Sequence, residues 1–365
     1  MNRLSFIIII FFIAQSCSNK KLETDWQHIY FDNPPPAINL AISEAETIFF
    51  EQILVPQKVY VVDSLYIVHQ TSEPDNFFIV FDGSFNKIGA FGRKGMGPGE
   101  FQSLRYKDQY SYGEDGSIQM WVYDASTFNG YFIDLEKAMH VSDDSFIITK
   151  TSLPLFVQTL PEYFFIDSTN GIGRSDMYSE GRYFKSSTSE LNWFGMFPQL
   201  NELVHPENKK LAYHANSSFQ DGLLYSAMTF FPRIDVFDPN GIPKLSIIKK
   251  TKDNPPNFLD ANNPFNQKNK EYYYDMFAGE DNIYALFLGL SRDETKTKSA
   301  STVSFLYIFN KNGEIKYNLK LPYLAYGFTI DEKRNKLMLF DWSMEDAVLY
   351  IWDLNKVMKQ ESVQS

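Results

Sequence analysis

The sequence has a single cysteine, Cys17, so no disulfide can form within the chain. It also lacks a basic excess, because 34 Lys and Arg stand against 45 Asp and Glu and the formal net charge is −11. An acidic chain has no general electrostatic attraction for nucleic acid, so we expect no nucleic-acid partner. Helical periodicity is scarce, and only residues 37–46 and 269–277 predict short helices.

Local motifs for catalysis and for metal binding are missing too. The histidines show no HxH or HExxH spacing: they are His28, His69, His140, His205 and His214. No serine lies in a GxSxG elbow. We therefore predict no catalytic residue and no metal ligand from the sequence, and any cofactor stays unknown.

The N-terminus carries an apolar run over residues 4–14, interrupted only by Ser5 and preceded by Arg3. The run is too short for a bilayer, which takes about 20 residues, but it has the length of a signal-peptide core. It ends in Ala14-Gln15-Ser16-Cys17, which resembles the lipobox of bacterial lipoproteins, although leucine is usual where Ala14 stands. The resemblance implies a lipoprotein signal peptide over residues 1–17 and acylation of Cys17. An ordinary secretory signal is the alternative.

The same resemblance implies that the chain meets the membrane through a lipid anchor. Ser18, where an acidic residue would be a retention signal, implies an outer-membrane lipoprotein of the cell envelope, on either the periplasmic or the surface face. Residues 18–40 are mostly polar and contain three consecutive prolines at 34–36. Such a composition predicts an extended tether between the anchor and the folded domain.

Six short apolar runs recur along the remainder, each closed by Asp or Asn. They are IVFD ending at Asp82, MWVYD at Asp124, YFFID at Asp167, IDVFD at Asp238, FLYIFN at Asn310 and LYIWD at Asp353. Hairpin signals flank most of them, so one unit holds about four strands, as in a propeller blade. We predict an all-β fold, a six-bladed β-propeller of four-stranded antiparallel blades, over residues 41–357, with a C-terminal tail at 358–365. A β-sandwich or jelly roll is the alternative.

A propeller ring leaves an open edge unless a terminal strand completes the last blade. Residues 46–55, ETIFFEQILV, read as a strand without a partner of its own. We expect this strand to join the sheet formed by residues 337–340 and 348–352 and to close the ring.

The segment IVFDGSFNKIGAFGRKGMGPGEF, residues 79–101, and the hairpins around Asp63, Asp221 and Asp281 resemble the TolB-like, six-bladed propeller lipoproteins of Bacteroidetes, relatives of NHL-like propellers. The resemblance covers about residues 42–354. It implies a fold and an envelope location but no reaction.

The glycine-rich part of that segment lacks the Lys-Ser/Thr of a phosphate loop, and a helix cannot easily pass Pro98. We predict instead a loop that connects two blades and leaves Arg93 and Lys94 exposed to a partner. Its residues are Gly92, Arg93, Lys94, Gly95, Gly97, Pro98 and Gly99.

Taken together, these features favour a binding or interaction module for a protein, peptide or glycan, with no evident catalytic activity. Aspartates at the hairpin turns are expected to accept hydrogen bonds from turn amides. The alternative is a metal-dependent, lactonase-like hydrolase or lyase, in which separate blades would supply carboxylates to the central channel and leave no local motif.

Overall fold

The structure is a computed structural model that describes residues 26–50, 56–70, 75–154, 161–174, 181–187, 190–195, 213–251, 267–297, 302–341 and 347–364. Cys17, the signal peptide and residues 18–25 of the predicted tether lie outside these ranges, as does His205.

The described chain begins with three strands, which later complete other sheets: β1 (Gln27–Phe31), β2 (Ile38–Asn39) and β3 (Glu46–Phe50). A 3-10 turn at Ile42–Glu44 separates the last two. The chain then forms six small sheets, numbered here as blades 1 to 6 in chain order.

Each blade starts with its innermost strand, and its first four strands from the inside outward are antiparallel neighbours, whereas the fifth strand of blades 1, 4 and 5 pairs in parallel. Blade 1 contains β4 (Pro56–Val62), β5 (Leu65–Gln70), β6 (Asn76–Phe81), β7 (Lys87–Lys94) and β8 (Glu100–Phe101). Blade 2 contains β9 (Leu104–Tyr112), β10 (Ile118–Asp124), β11 (Asn129–Asp134) and β12 (Ile147–Ser152). Blade 3 contains β13 (Glu162–Phe165), β14 (Gly171–Arg174), β15 (Tyr183–Ser186) and β16 (Leu191–Phe194).

The other three blades each gain one N-terminal strand. Blade 4 contains β17 (Ala215–Gln220), β18 (Leu223–Met228), β19 (Arg233–Phe237), β20 (Pro243–Lys249) and β1. Blade 5 contains β21 (Lys270–Ala278), β22 (Asn282–Ser291), β23 (Phe305–Asn310), β24 (Ile315–Lys320) and β2. Blade 6 contains β25 (Thr329–Asp331), β26 (Lys336–Asp341), β27 (Ala347–Asp353) and β3.

Short helices occur at α1 (Leu135–His140), α2 (Arg292–Thr297) and α3 (Leu354–Gln364). Within the described residues, no helix has the length and apolar character needed to cross a membrane. The last helix spans the expected end of the propeller at residue 357. The helix expected at 269–277 is wrong, because residues 270–277 lie in β21. The helix expected at 37–46 is also wrong, because this stretch holds β2, the 3-10 turn and the start of β3.

Apolar side chains fill every junction between neighbouring blades. In the described part of the chain, six clusters join blades 1–2, 2–3, 3–4, 4–5, 5–6 and 6–1 in turn. Both faces of a sheet are therefore buried, which explains why strands such as β6, with five of six residues buried, read as continuous apolar runs. The predicted six-bladed propeller is confirmed.

The six apolar runs mark one blade each, but they occupy different positions within the blades. Four of them are third strands, whereas MWVYD lies in β10, a second strand, and YFFID lies in β13, a first strand. Because two-sided burial makes inner and middle strands equally apolar, composition does not reveal which strand of a blade a run represents.

The ring closes as predicted over the part of residues 46–55 that the structure describes. Strand β3 pairs antiparallel with β27, with Phe50 opposite Ala347 and Glu46 opposite Ile351. Phe50 is buried against Phe81 of blade 1 and Phe340 of blade 6, at ring-centroid distances of 5.1 and 6.1 Å. Residues 51–55 lie outside the described ranges.

The predicted tether over residues 18–40 is too long at its C-terminal end, because β1 and β2 belong to the sheets. Strand β1 pairs in parallel with β20, and β2 pairs in parallel with β24. The alternation in QHIYF is a strand signal: Ile29 and Phe31 pack on the core while His28 and Tyr30 stay exposed. A tether over residues 18–25 stays a prediction.

Side chains from three blades hold this N-terminal segment. Trp26 Nε1 donates to Ser246 Oγ of blade 4 at 2.9 Å. Asn318 Nδ2 of blade 5 donates to the Pro35 carbonyl at 3.0 Å, and Trp352 Nε1 of blade 6 donates to the Ala41 carbonyl at 3.0 Å. The segment thus runs across the outside of blades 4 and 5 before it closes blade 6.

We expect Phe50→Ala to lower the free energy of unfolding by about 3–5 kcal/mol, because truncation opens a cavity at the closing junction. Phe49→Ala is the matched control, since Phe49 is 64% exposed and Phe50 only 6%. Urea denaturation of both variants measures the difference. Equal stabilities for the two variants would contradict the closing role of β3.

Candidate functional site

Of the predicted loop residues, Gly92, Arg93 and Lys94 lie at the end of β7, an outer strand of blade 1, and Gly95, Gly97, Pro98 and Gly99 lie between β7 and β8. The chain then enters β9, the innermost strand of blade 2. Its turn is organised by Glu100, whose carboxylate accepts a hydrogen bond from the Gly97 amide at 2.8 Å and pairs with Arg93 Nη2 at 2.7 Å. The Gly97 amide hydrogen bond, followed by the charge of Arg93, lowers the pKa of Glu100. The carboxylate of Glu100, which belongs to this segment, therefore occupies the space inside the turn.

Glycine is required at the end of this loop for two reasons. Gly99 has φ +69°, a left-handed conformation that other residues rarely adopt. A Cβ at this position would lie 2.6 Å from the Asp143 carbonyl oxygen.

The predicted basic pair is only partly exposed. Arg93 is exposed while Lys94 is half-buried, with its ammonium 5.1 Å from the Phe77 ring centroid. Binding of a partner by this basic pair stays a prediction.

The aspartates at hairpin turns act locally, as expected. Asp82 Oδ1 accepts hydrogen bonds from the amides of Ser84 and Asn86 at 2.8 and 2.9 Å. Asp63 and Asp221 occupy left-handed turn positions, with φ 55° and 53°. Asp and Asn tolerate this conformation better than most residues, so turn geometry accounts for these acids.

The described histidines lie apart from one another. His28 and His140 are exposed on the surface, and His214 Nδ1 lies 2.9 Å from Thr229 Oγ1. His69 stacks on Phe78, and burial, helped by the nearby charges of Arg105 and Lys94, lowers its pKa to about 4. Among the described residues, no three His, Cys, Asp or Glu side chains converge closely enough to hold a metal ion.

The innermost strands surround a central channel, and a cavity of about 430 Å³ occupies one end of it. Residues from blades 1, 2, 4, 5 and 6 line this cavity, which extends from Lys58 to the hairpin turns at Asp63, Asp221 and Lys333. A second cavity of about 310 Å³ lies where the inner strands begin, and a small space of about 50 Å³ lies near the channel centre. Lys58 lines all three spaces.

Charged side chains from blades 1, 2, 3 and 5, which are far apart in the sequence, form two ion-paired groups in the channel. Lys58 Nζ of blade 1 lies 3.4 Å from Asp275 Oδ1 of blade 5. Glu162 of blade 3 pairs with Lys107 at 2.9 Å and with Arg174 at 3.3 Å. Burial by itself would raise the pKa of Glu162, but the two cations outweigh it and lower the pKa to about 2.

Asp108 is the exception in this channel. Its carboxylate forms no hydrogen bond or ion pair with the described residues, although it lines both the large cavity and the central space. Burial raises its pKa to about 6, against the opposing effects of Lys58 and Lys107. Its backbone has φ 56°, the left-handed conformation that Asp63 and Asp221 also adopt. A half-buried acid that faces a cavity, has no ion pair and has a raised pKa is a candidate functional residue.

Strand irregularities place these charges in the channel. The pairing register shifts between Met120 and Val122, opposite the part of β9 that carries Asp108. Further shifts adjoin Lys58 in β4 and Asp275 in β21. Bulges re-aim side chains and are common next to active sites.

The sequence interpretation missed Lys58, Lys107, Asp108, Glu162 and Asp275. Lys58, Glu162 and Asp275 are charged residues in first strands that are otherwise mostly apolar or aromatic, as in QKVYVV and YYYDMF, whereas Lys107 and Asp108 stand in the more polar strand β9. That pattern was the available signal. Of the aromatic run at 272–274, Tyr272 and Tyr273 are buried and Tyr274 is half-buried, so the run packs within blade 5.

No family model matches the chain, and no curated protein matches it in sequence. Among solved structures, one protein from Bacteroides fragilis assigned as exported is similar, with a TM-score of 0.53, 12% identity, and coverage of 89% of this chain and 99% of that chain. A luciferin-regenerating enzyme gives 0.43 and 6% identity, over 84% of this chain and 94% of its own. The extracellular domain of a one-component system from B. thetaiotaomicron gives 0.40 and 11%, over 82% and 33%. The first likeness shows the fold alone, and the other two are too distant to carry an argument.

We expect Asp108→Asn to stabilise the protein by about 1–2 kcal/mol at pH 8. The folded-state pKa of Asp108 lies above its ordinary value of 3.8, so ionisation costs stability above about pH 6 and the cost fades as pH falls towards 3.8. Asparagine also tolerates the left-handed backbone. Urea denaturation at pH 8 and pH 5 should show a smaller gain at pH 5.

The matched control is Glu114→Gln, which removes an exposed carboxylate from the β9–β10 turn outside the cavity. We expect it to leave stability nearly unchanged at both pH values. A destabilised Asp108→Asn variant at pH 8 would show that the Asp108 carboxylate has a stabilising partner.

Proposed function

We propose that this chain is a binding module of the bacterial cell envelope, attached to the outer membrane through a lipid on Cys17. The observation that carries the binding role is the cavity of about 430 Å³ at the channel mouth. Ligand pockets in proteins typically measure about 300–1,000 Å³ and combine apolar walls with a few polar groups. Five aromatic residues and the unpaired Asp108 meet that description.

The remaining channel charges favour binding over catalysis. Glu162 is engaged by two cations and a backbone amide, and Asp275 is engaged by Lys58. Groups that are already paired are poor candidates for proton transfer or nucleophilic attack, since the pairing must first be broken. The module would therefore hold its ligand, a protein segment, peptide or glycan, without transforming it.

One observation favours the alternative of a channel hydrolase or lyase, namely the near-neutral pKa of Asp108, which suits a general base. A metal-dependent form fits less well, because no three candidate ligands converge among the described residues. Elemental analysis of dialysed protein tests the metal-dependent form of the enzyme. One divalent metal bound per chain would support the enzyme and contradict our proposal.

The membrane location rests on the apolar run at 4–14 and on the cysteine that follows it. We expect Cys17→Ala to move the protein from the membrane pellet to the soluble fraction, because the acyl chains attach to that sulfur. Immunoblotting of fractions after carbonate washing measures this. Ser18→Ala, which keeps the cysteine, is the control and should stay in the pellet. Retention of the Cys17→Ala variant in the pellet would exclude the lipid anchor.

The binding role is tested by closing the cavity. Ser111 lines the mouth and is exposed, so Ser111→Trp should occlude the cavity with little loss of stability. Ser126→Trp is the matched control, because Ser126 is exposed in the β10–β11 turn outside the cavity. We expect compounds that raise the Tm of the wild type, in a panel of amino acids, tripeptides and disaccharides, to fail with Ser111→Trp and to work with Ser126→Trp. Compounds that still raise the Tm of Ser111→Trp would show that they bind outside this cavity.

A further inference from the structure

We propose that the channel cavity binds an organic cation, an ammonium or guanidinium group on an apolar stem, with Asp108 as its counter-ion. This inference rests on the proposed binding function and specifies the chemical class of its ligand. It follows from the charges that line the cavity, from the spacing of the acids, and from the nature of the walls.

The lining of the cavity is strongly acidic. Two lysines, Lys58 and Lys333, face six carboxylates: Asp63, Asp108, Asp221, Glu280, Asp331 and Glu332. Both lysines are already engaged, Lys58 with Asp275 at 3.4 Å and Lys333 with Asp63 at 2.9 Å. Neither of the two lysines that line the cavity is therefore free to bind an incoming anion.

Three of the six acids have no ion pair with any described residue. Asp331 pairs with Arg334 at 2.7 Å, and Asp221 lies 4.0 Å from Lys311. The three acids without an ion pair are therefore Asp108, Glu280 and Glu332. The Oε1 atom of Glu332 is buried without a hydrogen-bond partner, while its Oε2 accepts from the Glu280 amide at 2.6 Å. Lys58 and Lys107 offset part of the charge of Asp108, and Lys311 offsets part of the charge of Glu332. A bound cation would relieve the desolvation that remains.

The arrangement of the acids favours an organic cation over a metal ion as the ligand. A metal ion needs several ligands within about 2–2.6 Å of one point, and the described acids do not converge in this way. An ammonium or guanidinium group requires only one close carboxylate and is stabilised by the surrounding negative potential. Asp108 provides that carboxylate at the base of the cavity.

The walls suit the carbon stem of such a ligand. Aromatic residues from blades 2, 4, 5 and 6 line the same space: Tyr110, Trp121, Phe219, Phe277 and Phe328. Trp121 stacks with Phe132 and Phe165, at centroid distances of 4.7 and 4.4 Å, which fixes its orientation in the wall. Aromatic faces attract cations and pack on alkyl chains. A lysine or arginine side chain, or a free polyamine, has this combination of a charged end and an apolar stem.

Isothermal titration calorimetry tests the inference with two cationic probes, spermidine and the capped tripeptide Gly-Lys-Gly. Capped Gly-norleucine-Gly is the neutral control of similar shape. We expect at least one cationic probe to bind about tenfold more tightly than the norleucine peptide. Binding of spermidine alone indicates a free amine as ligand, whereas binding of the lysine peptide indicates a basic protein segment.

Two variants locate the binding. Asp108→Asn should weaken binding of the cationic probe by about tenfold. Glu114→Gln, which removes a charge outside the cavity, should leave the Kd of the probe unchanged. Because Asp108→Asn is expected to be at least as stable as the wild type, loss of binding would not reflect unfolding.

The inference is overturned if neither cationic probe binds better than the norleucine peptide, or if Asp108→Asn binds as tightly as the wild type. The experiments also distinguish a wrong ligand class from a wrong binding function. If neutral or acidic compounds bind and are lost in Ser111→Trp, the module binds a ligand of another class in the same cavity.

Discussion

The structure depends on apolar packing between neighbouring blades. A single small sheet exposes two apolar faces and is marginally stable alone, so each blade requires a neighbour on both sides. That requirement is met only when the ring closes, and the junction between blades 6 and 1 contains Phe50 of β3 together with Phe81 and Phe340. A strand from the beginning of the chain thereby stabilises the sheet formed at its end, which makes folding of the ring cooperative.

The N-terminal segment extends this closure beyond one blade. Strands β1 and β2 cover the outer edges of blades 4 and 5 before β3 completes blade 6. The parallel pairing supplies hydrogen bonds to strand edges that would otherwise be open.

The channel shows how the fold accommodates buried charge. Burying an ion is expensive unless it is paired, and Glu162 and Asp275 are paired with cations from the same or neighbouring inner strands. Asp108 departs from this rule, because its carboxylate has no ion pair or hydrogen bond with the described residues and its pKa is raised. Groups retained at a cost to stability often serve function. The contrast between Asp108 and its paired neighbours is the main reason to place the ligand site here.

Much of the fold was predictable from the sequence, because its signals are local. Apolar runs, hairpin turns and an unpartnered strand at residues 46–50 each depend on neighbouring residues, and the number of blades and the ring closure followed from them. The strand position of each run within its blade did not follow, since burial on both faces makes the strands of a blade alike. The pairing of β1 and β2 with blades more than 200 residues away also required the tertiary structure.

The candidate site was decided by the tertiary structure. Lys58, Asp108, Glu162 and Asp275 are isolated charges on four different strands, and no spacing along the sequence links them. They meet because inner strands from separate blades surround one channel, and register shifts adjoin Lys58, Asp108 and Asp275 in these strands. The sequence by itself determined the architecture through local patterns, whereas the convergence of these charges depends on the ring geometry that only the folded chain provides.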